Sequence, residues 1–322
     1  MKAIQINRTG GPEVLEYVDL PRPKAGEGQA VVQVKAAGEN FTDIYTRTGM
    51  AHGAPLPCVL GVEAAGVVVE VGPGVTGVQP GDRVAYSSGL GSYAEYAVQP
   101  VWRLMPVATG VSFETAAAAM LQGMTAQYLS HDCYPIKAGD VALIHAGAGG
   151  VGQLLIQMAK QLGATVIATV STEAKAAIAK ACGADHVIRY TVDDFEAETM
   201  RITGGKGVHV VYDSVGKDTF AKGMNLLDNR GYMICYGQSS GWPDPVSLQT
   251  LNIKGTFVSR PSLVHYTTDR HEIALRSGAV FNAIAAGRLK VDITKTFPLA
   301  EAAEAHRQLE GRATTGKLLL IP

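Results

Sequence analysis

Gly147-Ala148-Gly149-Gly150-Val151-Gly152 places Gly147, Gly149 and Gly152 at the G-x-G-x-x-G spacing. A short apolar run, 141–145, precedes this segment, and helix-forming sequence over 151–162 follows it, ended by Gly163. Between a strand and a helix each glycine has a task. Gly147 permits a tight turn, Gly149 lets the backbone approach a pyrophosphate, and Gly152 lets the helix pack closely on the strand. The amides that open the helix lack an intrahelical acceptor, and the helix dipole adds to their attraction for phosphate. Gly147 to Gly152 therefore reads as a dinucleotide cradle, with Ala148, Gly150 and Val151 lending backbone N–H groups.

The end of the next strand indicates which dinucleotide. Enzymes that prefer NAD carry an acid there, about 20 residues past the first glycines, to hold the ribose 2′-hydroxyl. Here the strand ends Ala168-Thr169-Val170-Ser171, and Glu173 comes only at the start of the following helix. Lys175 lies within the same helical turn, and Tyr190 stands at the end of the third strand. A cation and hydroxyls in place of the acid suit a 2′-phosphate, so these residues point to NADPH. The plainer reading of Lys175 is an exposed helical lysine; the missing acid decides against it.

Other reactive residue types are dispersed. Cys58, Cys133, Cys182 and Cys235 include no C-x-x-C pair, the pattern of reduced, mostly buried thiols rather than of a disulfide framework or zinc ribbon. The eight histidines, His52, His145 and His209 among them, show no close metal-ligand spacing.

The elements around these residues fall into two styles. The first part alternates in short runs, 30–35, 66–71, 82–86 and 93–98, separated by Gly and Pro turns, which suggests a barrel-like β domain. Ser112 is a candidate N-cap, with Glu114 in the first turn of an alanine-rich helix over about 113–129. From 141 the rhythm is strand, helix, strand: strands at 141–145, 165–170, 186–190, 208–213, 232–236 and 256–260, helices at 151–162, 172–181 (Ser171 as cap), 194–202 and 219–227. That alternation makes an α/β, doubly wound parallel sheet. The tail predicts a helix at 271–286, a strand at 289–293, a helix at 300–309 and a last strand at 317–321, rejoining the first domain. The division predicted is 1–123 with 265–322, around an inserted cofactor domain, 124–264.

Composition sets the outer limits. The 322 residues are 47% hydrophobic and 18% charged, with a net charge of −1. That suits two globular domains and gives no general attraction for nucleic acid or anionic membrane. No apolar run approaches the roughly 20 residues of a membrane span, and the N-terminus lacks a signal-peptide pattern, so a cytoplasmic location is expected.

The whole chain resembles the quinone oxidoreductase branch of the medium-chain dehydrogenases/reductases, including zeta-crystallin-like proteins. Ala36-Ala37-Gly38-Glu39-Asn40-Phe41-Thr42-Asp43, Gly61-Val62-Glu63-Ala64-Ala65-Gly66, Pro80-Gly81-Asp82-Arg83-Val84, the glycine turn, Tyr212-Asp213-Ser214-Val215-Gly216 and Ser259-Arg260-Pro261-Ser262-Leu263 carry the resemblance, in order along the chain. It implies a GroES-like catalytic domain around an inserted Rossmann domain, with the active site in the cleft between them. Alcohol-oxidising relatives hold a catalytic zinc, which needs N, S or O donors. Here the first cysteine position reads Asn40, the histidine position reads Val62 beside Glu63, and the four-cysteine lobe is replaced by Ser88-Gly89-Leu90-Gly91-Ser92-Tyr93. No zinc is expected at either site.

The resemblance also implies roles. Asn40, Asp43 and Tyr45 line the substrate end and meet the nicotinamide ribose or a quinone, Asn40 serving both. On the cofactor side stand Thr125, Ser171, Lys175, Tyr190, Ser214, Tyr236, Gly237, Gln238, Ser239 and Arg260, with Arg312 and Lys317 as further candidates for the 2′-phosphate side or the cleft rim. Relatives carry a second tyrosine shortly after Tyr45, where this chain reads Gly49-Met50-Ala51-His52-Gly53, a departure that bears on substrate preference. The implied activity is NADPH-dependent, zinc-independent electron or hydride transfer to a quinone. Alternatives are an NADPH-dependent alkenal or enone double-bond reductase, and a cofactor-bound RNA-binding or structural protein of the zeta-crystallin type, for which no basic, aromatic-laced stripe is present. The resemblance also implies a homodimer in which two subunits join the edge strands of their Rossmann sheets, an exposed edge being a liability unless it is paired.

Overall fold

The computed structural model describes residues 1–51, 54–87 and 89–322; His52, Gly53 and Ser88, which the sequence reading had named, lie outside the described residues. The chain divides into two compact units, residues 1–124 with 266–322, and residues 125–265. The helix Phe113–Tyr128 contains the first change of unit, and Ser112 Oγ caps it by accepting from Thr115 N at 3.0 Å.

The first unit is built on the strand Gln29–Gly38, which pairs antiparallel with Glu63–Val71, Tyr96–Pro100 and Lys317–Ile321. The last of these brings the chain's tail against its beginning, Leu319 opposite Gly38 and Leu320 opposite Ala37. Arg83–Ser87 and Met105–Pro106 extend the sheet on one side and Ile293–Pro298 on the other. A smaller sheet of Glu16–Asp19, Lys2–Ile6 and Cys58–Val59 closes over the same core, in which Ile4, Ile6, Leu60, Tyr86, Leu318 and Leu320 are almost fully buried. At about 1.5–3 kcal/mol for each large apolar side chain fully buried, this core is the main term holding the β unit together.

Three features depart from the expectation. The strand placed at 289–293 forms instead at Ile293–Pro298, where Lys295 to Pro298 pair with Leu318 to Ile321. The strand placed at 93–98 starts at Tyr96; Tyr93 leaves that ladder to exchange backbone bonds with Ile4 and Leu60. A helix, Phe41–Thr48, lies where none was anticipated. Asn40 is its N-cap, and its C-cap Gly49 takes φ 80°, the left-handed conformation that ends helices without a Cβ penalty.

The second unit is a parallel sheet of β1 (Val141–Ile144), β2 (Thr165–Val170), β3 (His186–Arg189), β4 (Val208–Asp213), β5 (Leu227–Cys235) and β6 (Phe257–Ser259), in the order β3-β2-β1-β4-β5-β6. Buried on both faces, its strands read as nearly continuous apolar runs. Leu143, Ile167, Ile188, Val211 and Met233 meet Phe195, Phe220 and Leu226 in one core. The helices Gly150–Gln161, Glu173–Ala181, Phe195–Ile202 and Phe220–Asn225 follow β1 to β4 in turn. Asp194 caps the third by accepting from Glu196 N and Ala197 N. The cap of the second is Thr172 rather than Ser171: its side chain accepts from Lys175 N. Strand order reverses at β1, which lies between β2 and β4, the place where ligands meet open sheets of this kind.

Candidate functional site

The loops at the C-terminal ends of β1 to β6 gather most of the predicted cofactor residues onto one edge of the second unit. After β1 the chain turns through Ala146, whose φ of 53° makes it the left-handed residue of the turn. The tight turn thus falls one residue before Gly147, to which it had been assigned. Gly147 is needed for closeness instead: a Cβ there would lie 2.8 Å from Ala168 Cβ. Gly152 is the most constrained, since a Cβ would stand 2.3 Å from Ala146 O and 3.0 Å from Gly147 Cα. Gly149 is the helix N-cap and no side chain caps that end, so the first-turn amides of Gly150, Val151 and Gly152 keep their capacity for an anion. Ala148 is buried, and its carbonyl accepts from Gln153 Nε2 at 2.9 Å.

The end of β2 stands beside this cradle, Gly147 N donating to Thr169 O at 3.0 Å. Ser171 follows, its carbonyl accepting from Thr191 Oγ1 at 2.7 Å, and Tyr190, 46% exposed, is tied to the same corner through its N–H to Val170 O. Lys175 is half-buried, and burial lowers its ammonium pKa from the ordinary lysine value. Glu173, the one acid in this helix's first turn, is paired with Arg189 at 3.1 Å. Sequence reading passed over Arg189. The signal was available: a basic residue ending β3, in register with Val170 and directly before Tyr190.

Beyond the switch point, Asp213 shapes the loop after β4. Fully buried, it accepts from Val215 N, Gly216 N and Thr219 Oγ1 through Oδ1. Ser214 is thereby held against the loop after β5, its carbonyl accepting from Ser239 N at 3.2 Å, while Tyr236 N donates to Asp213 O at 2.8 Å. Gly237 and Gln238 are buried between, and Gln238 Oε1 accepts from Arg260 Nη2. Arg260 is exposed at the end of β6 and lies over the Trp242 ring, 5.5 Å from its centroid. Thr125, 7% exposed, opens this unit on the helix Phe113–Tyr128.

The remaining candidates belong to the first unit. Asn40 is 5% exposed, and its amide is held by Glu63, Gly38 O and Lys317. Tyr45 is half-buried on the helix Phe41–Thr48, its ring tilted against Phe41. Asp43 is fully buried: its Oδ2 accepts from Asn40 N at 2.9 Å and from Tyr93 Oη at 3.0 Å. It builds the helix start. Burial pushes its carboxyl up to about 7, against the lowering effect of those two bonds. Lys317, expected at the phosphate side or the cleft rim, is 0% exposed and ion-paired to Glu63 at 2.6 Å. Arg312 is exposed in the turn before the last strand, with φ 53°.

The same unit holds a second buried polar chain. His306 lies between Arg47 Nη1 at 3.0 Å and Tyr93 Oη at 3.3 Å, and Arg47 Nη2 reaches Glu310 at 2.5 Å. Burial, with the Arg47 charge, pushes the His306 imidazole down to about 3. Glu39, 2% exposed, has neither carboxylate oxygen hydrogen-bonded, and burial holds its carboxyl well above the usual range, with Asp43 adding to the rise.

Metal donors are not assembled. Among the described residues no three His, Cys, Asp or Glu side chains are grouped to hold an ion. His145 is buried, Nδ1 on Thr169 Oγ1, and His209 Nδ1 accepts from Val141 N. Cys235 is buried, whereas Cys58, Cys133 and Cys182 are half-buried, somewhat more open than anticipated.

Comparison with known proteins agrees with this architecture. Residues 26–109 match the alcohol dehydrogenase GroES-like domain family and residues 182–320 the zinc-binding dehydrogenase family. The chain is 45% identical to quinone oxidoreductase 1 of Escherichia coli strain K12, over 99% of each chain. It is 44% identical to a 2-haloacrylate reductase of a Burkholderia species, over 99% of this chain and 98% of that one. The crystal structure of the Escherichia coli quinone oxidoreductase complexed with NADPH superposes with a TM-score of 0.97 at 44% identity, each chain covered in full. With a GroES-like β unit, a parallel sheet in Rossmann order and full-length identity at this level, the chain belongs to the quinone oxidoreductase family of medium-chain dehydrogenases/reductases.

Proposed function

We propose that this protein reduces quinones with NADPH and without a metal at the reacting centre. The observation that carries the reading is the corner between β1 and β2. A glycine cradle in which Gly147 and Gly152 have no room for a Cβ adjoins the half-buried Lys175, and no acid stands at the end of β2. Gly147 to Gly152 hold the pyrophosphate, and Lys175, Ser171 and Tyr190 hold the 2′-phosphate, with the Arg189 charge nearby. Thr125, Ser214, Tyr236, Gly237, Gln238, Ser239 and Arg260 take the nicotinamide half. NADPH, when bound, supplies hydride.

Asn40 and Tyr45 orient the ribose and the acceptor. A quinone is already electrophilic and gains aromaticity on reduction, so the residues around it have chiefly to position it and exclude water. At the positions where alcohol-oxidising relatives carry cysteine and histidine, Asn40 and Val62 provide no thiolate or imidazole. The relative named for 2-haloacrylate reduction favours a second reading, hydride delivery to an activated carbon–carbon double bond. Quinones and 2-haloacrylates share an electron-poor alkene conjugated to a carbonyl or carboxyl group.

Initial rates of NADPH oxidation with 1,4-benzoquinone, 1,4-naphthoquinone, 2-chloroacrylate and an alkenal test the proposal. Quinones should give the highest kcat/KM; faster turnover of 2-chloroacrylate or the alkenal would replace it with the second reading. We also propose a homodimer in the cytoplasm, paired along β6, where Phe257 and Val258 are 48% and 40% exposed. No helix among the described residues is long and apolar enough to cross a membrane.

A further inference from the structure

Arg83 and Arg270 form no ion pair among the described residues. Arg83 donates through Nη2 to Val111 O and lies over the Phe113 ring, 4.6 Å from its centroid. Its Nε is buried and has no hydrogen-bond partner. Arg270 opens the helix Arg270–Ala285 and donates through Nη1 to Val101 O at 3.1 Å and to Leu104 O at 3.2 Å. A guanidinium carries donors on all three nitrogens, and one edge of it can grip a carboxylate through two parallel N–H bonds. The two carbonyls leave the Nε–Nη2 edge of Arg270 unused. The acids beside it are committed elsewhere: Asp269 accepts from Glu272 N to cap the helix, and Glu272 is paired with Arg276.

Both arginines line one cavity of about 380 Å³ in the first unit, within the usual size of small-molecule sites. Val78, Leu104 and Val107 supply apolar wall, and Asp82 is the only acid in the lining. Asp82 Oδ2 accepts from Gln79 N at 2.9 Å. Two cations against one anion leave the lining with a charge of +1. The cavity is distinct from the buried group around Asn40. Arg83 pairs with Val67 at one end of the strand Arg83–Ser87, and Ser87 pairs with Glu63 at the other, roughly 13 Å further along the strand.

We propose that this cavity is a binding site for a small aliphatic monocarboxylate. The carboxylate takes the unused edge of Arg270 beside Arg83, and the hydrocarbon covers Val78, Leu104 and Val107. The charge selects the class: a monoanion neutralises the lining, whereas a phosphate dianion exceeds it and is repelled by Asp82. The apolar wall selects further, since an inorganic anion would leave it against water.

Calorimetric titration of the full chain with hexanoate, 1-hexanol and inorganic phosphate tests the proposal. Hexanoate should bind at one site per chain, about tenfold or more tighter than either of the others, the worth of a hydrogen bond to a charged group. Arg270→Gln should bring hexanoate down to the level of 1-hexanol and leave 1-hexanol unchanged; a retained advantage would overturn the proposal. Arg270 also holds two backbone carbonyls, so a second variant carries the test if that one does not fold. Asp82→Asn keeps an acceptor for Gln79 N and should tighten hexanoate about 2- to 5-fold, the effect of removing one like charge near the surface, with no change for 1-hexanol. Equal affinity for hexanoate in folded Asp82→Asn and wild type would overturn the site. Phosphate that binds as tightly as hexanoate and competes with it would also overturn the proposal, by showing a plain anion site. So would hexanoate binding that is lost when NADPH is present at saturation, because the carboxylate would then belong to the cofactor phosphate loops.

Discussion

Lys175 and Asp43 make opposite use of burial. Lys175 is partly withdrawn from water, which lowers its pKa and leaves a poorly hydrated cation beside the β2 corner. Lys175→Ala should weaken NADPH by about 1.5–3 kcal/mol, the range for a hydrogen bond to a charged group, with little change for NADH. Fluorescence titration with each cofactor checks this, and equal losses would refute the 2′-phosphate assignment. Asp43 is enclosed completely, facing Tyr93, Asn40 N, the Lys317 charge and the opposing Glu63 charge, and its carboxyl is pushed up from 3.8 to about 7. An acid whose folded pKa is raised favours folding fully below about pH 4, and that contribution is lost as pH rises through about 7. Asp43→Asn removes this titration. Between pH 5 and pH 8 its stability relative to wild type should therefore improve by about 2–3 kcal/mol, read from denaturant melts at both pH values. The His306 titration is common to both proteins and cancels in the difference, while Glu39, whose carboxyl Asp43 helps to hold up, is relieved in the variant and moves the difference in the same direction. A pH-independent difference would mean that Asp43 ionises normally.

Cofactor binding is proposed to depend on the helix after β1. Its seat requires Gly152 far more than Gly149, for which an added Cβ would meet Ala146 O at 3.2 Å rather than 2.3 Å. Gly152→Ala should cost about 1–3 kcal/mol of stability by overpacking and weaken NADPH as the helix start moves; Gly149→Ala should do less of both. Thermal melts and cofactor titrations on the two variants check the order, and the reverse order would place the phosphates elsewhere. The strand–helix rhythm from 141 onward was legible because strands covered on both faces are short apolar runs, and helices between them start at Thr172 or Asp194 and stop at glycines such as Gly163. The helix Phe41–Thr48 was not anticipated, although Asn40 and Asp43 stand at the spacing of a capping pair. Burial of Lys317 was invisible. Its partner Glu63 lies 254 positions away, and a pair that distant leaves no local pattern.

The whole molecule joins a β unit rich in internal polar bonds to a sheet unit whose strand ends carry loops for a ligand. Among the described residues β6 is an edge strand of its sheet and exposes Phe257 and Val258, which supports the proposed dimer. Val258→Lys should shift the protein from dimer to monomer in light scattering at micromolar concentration, and an unchanged mass would place the interface elsewhere. The β1–β2 corner is proposed to select a 2′-phosphorylated cofactor for quinone reduction. It is tested most directly by the ratio of kcat/KM for NADPH to that for NADH with 1,4-naphthoquinone as acceptor at low ionic strength. A preference for NADPH of about tenfold or more is the predicted result, corresponding to at least one charge-assisted hydrogen bond to the phosphate. Equal use of the two cofactors, or a preference for NADH, would contradict it.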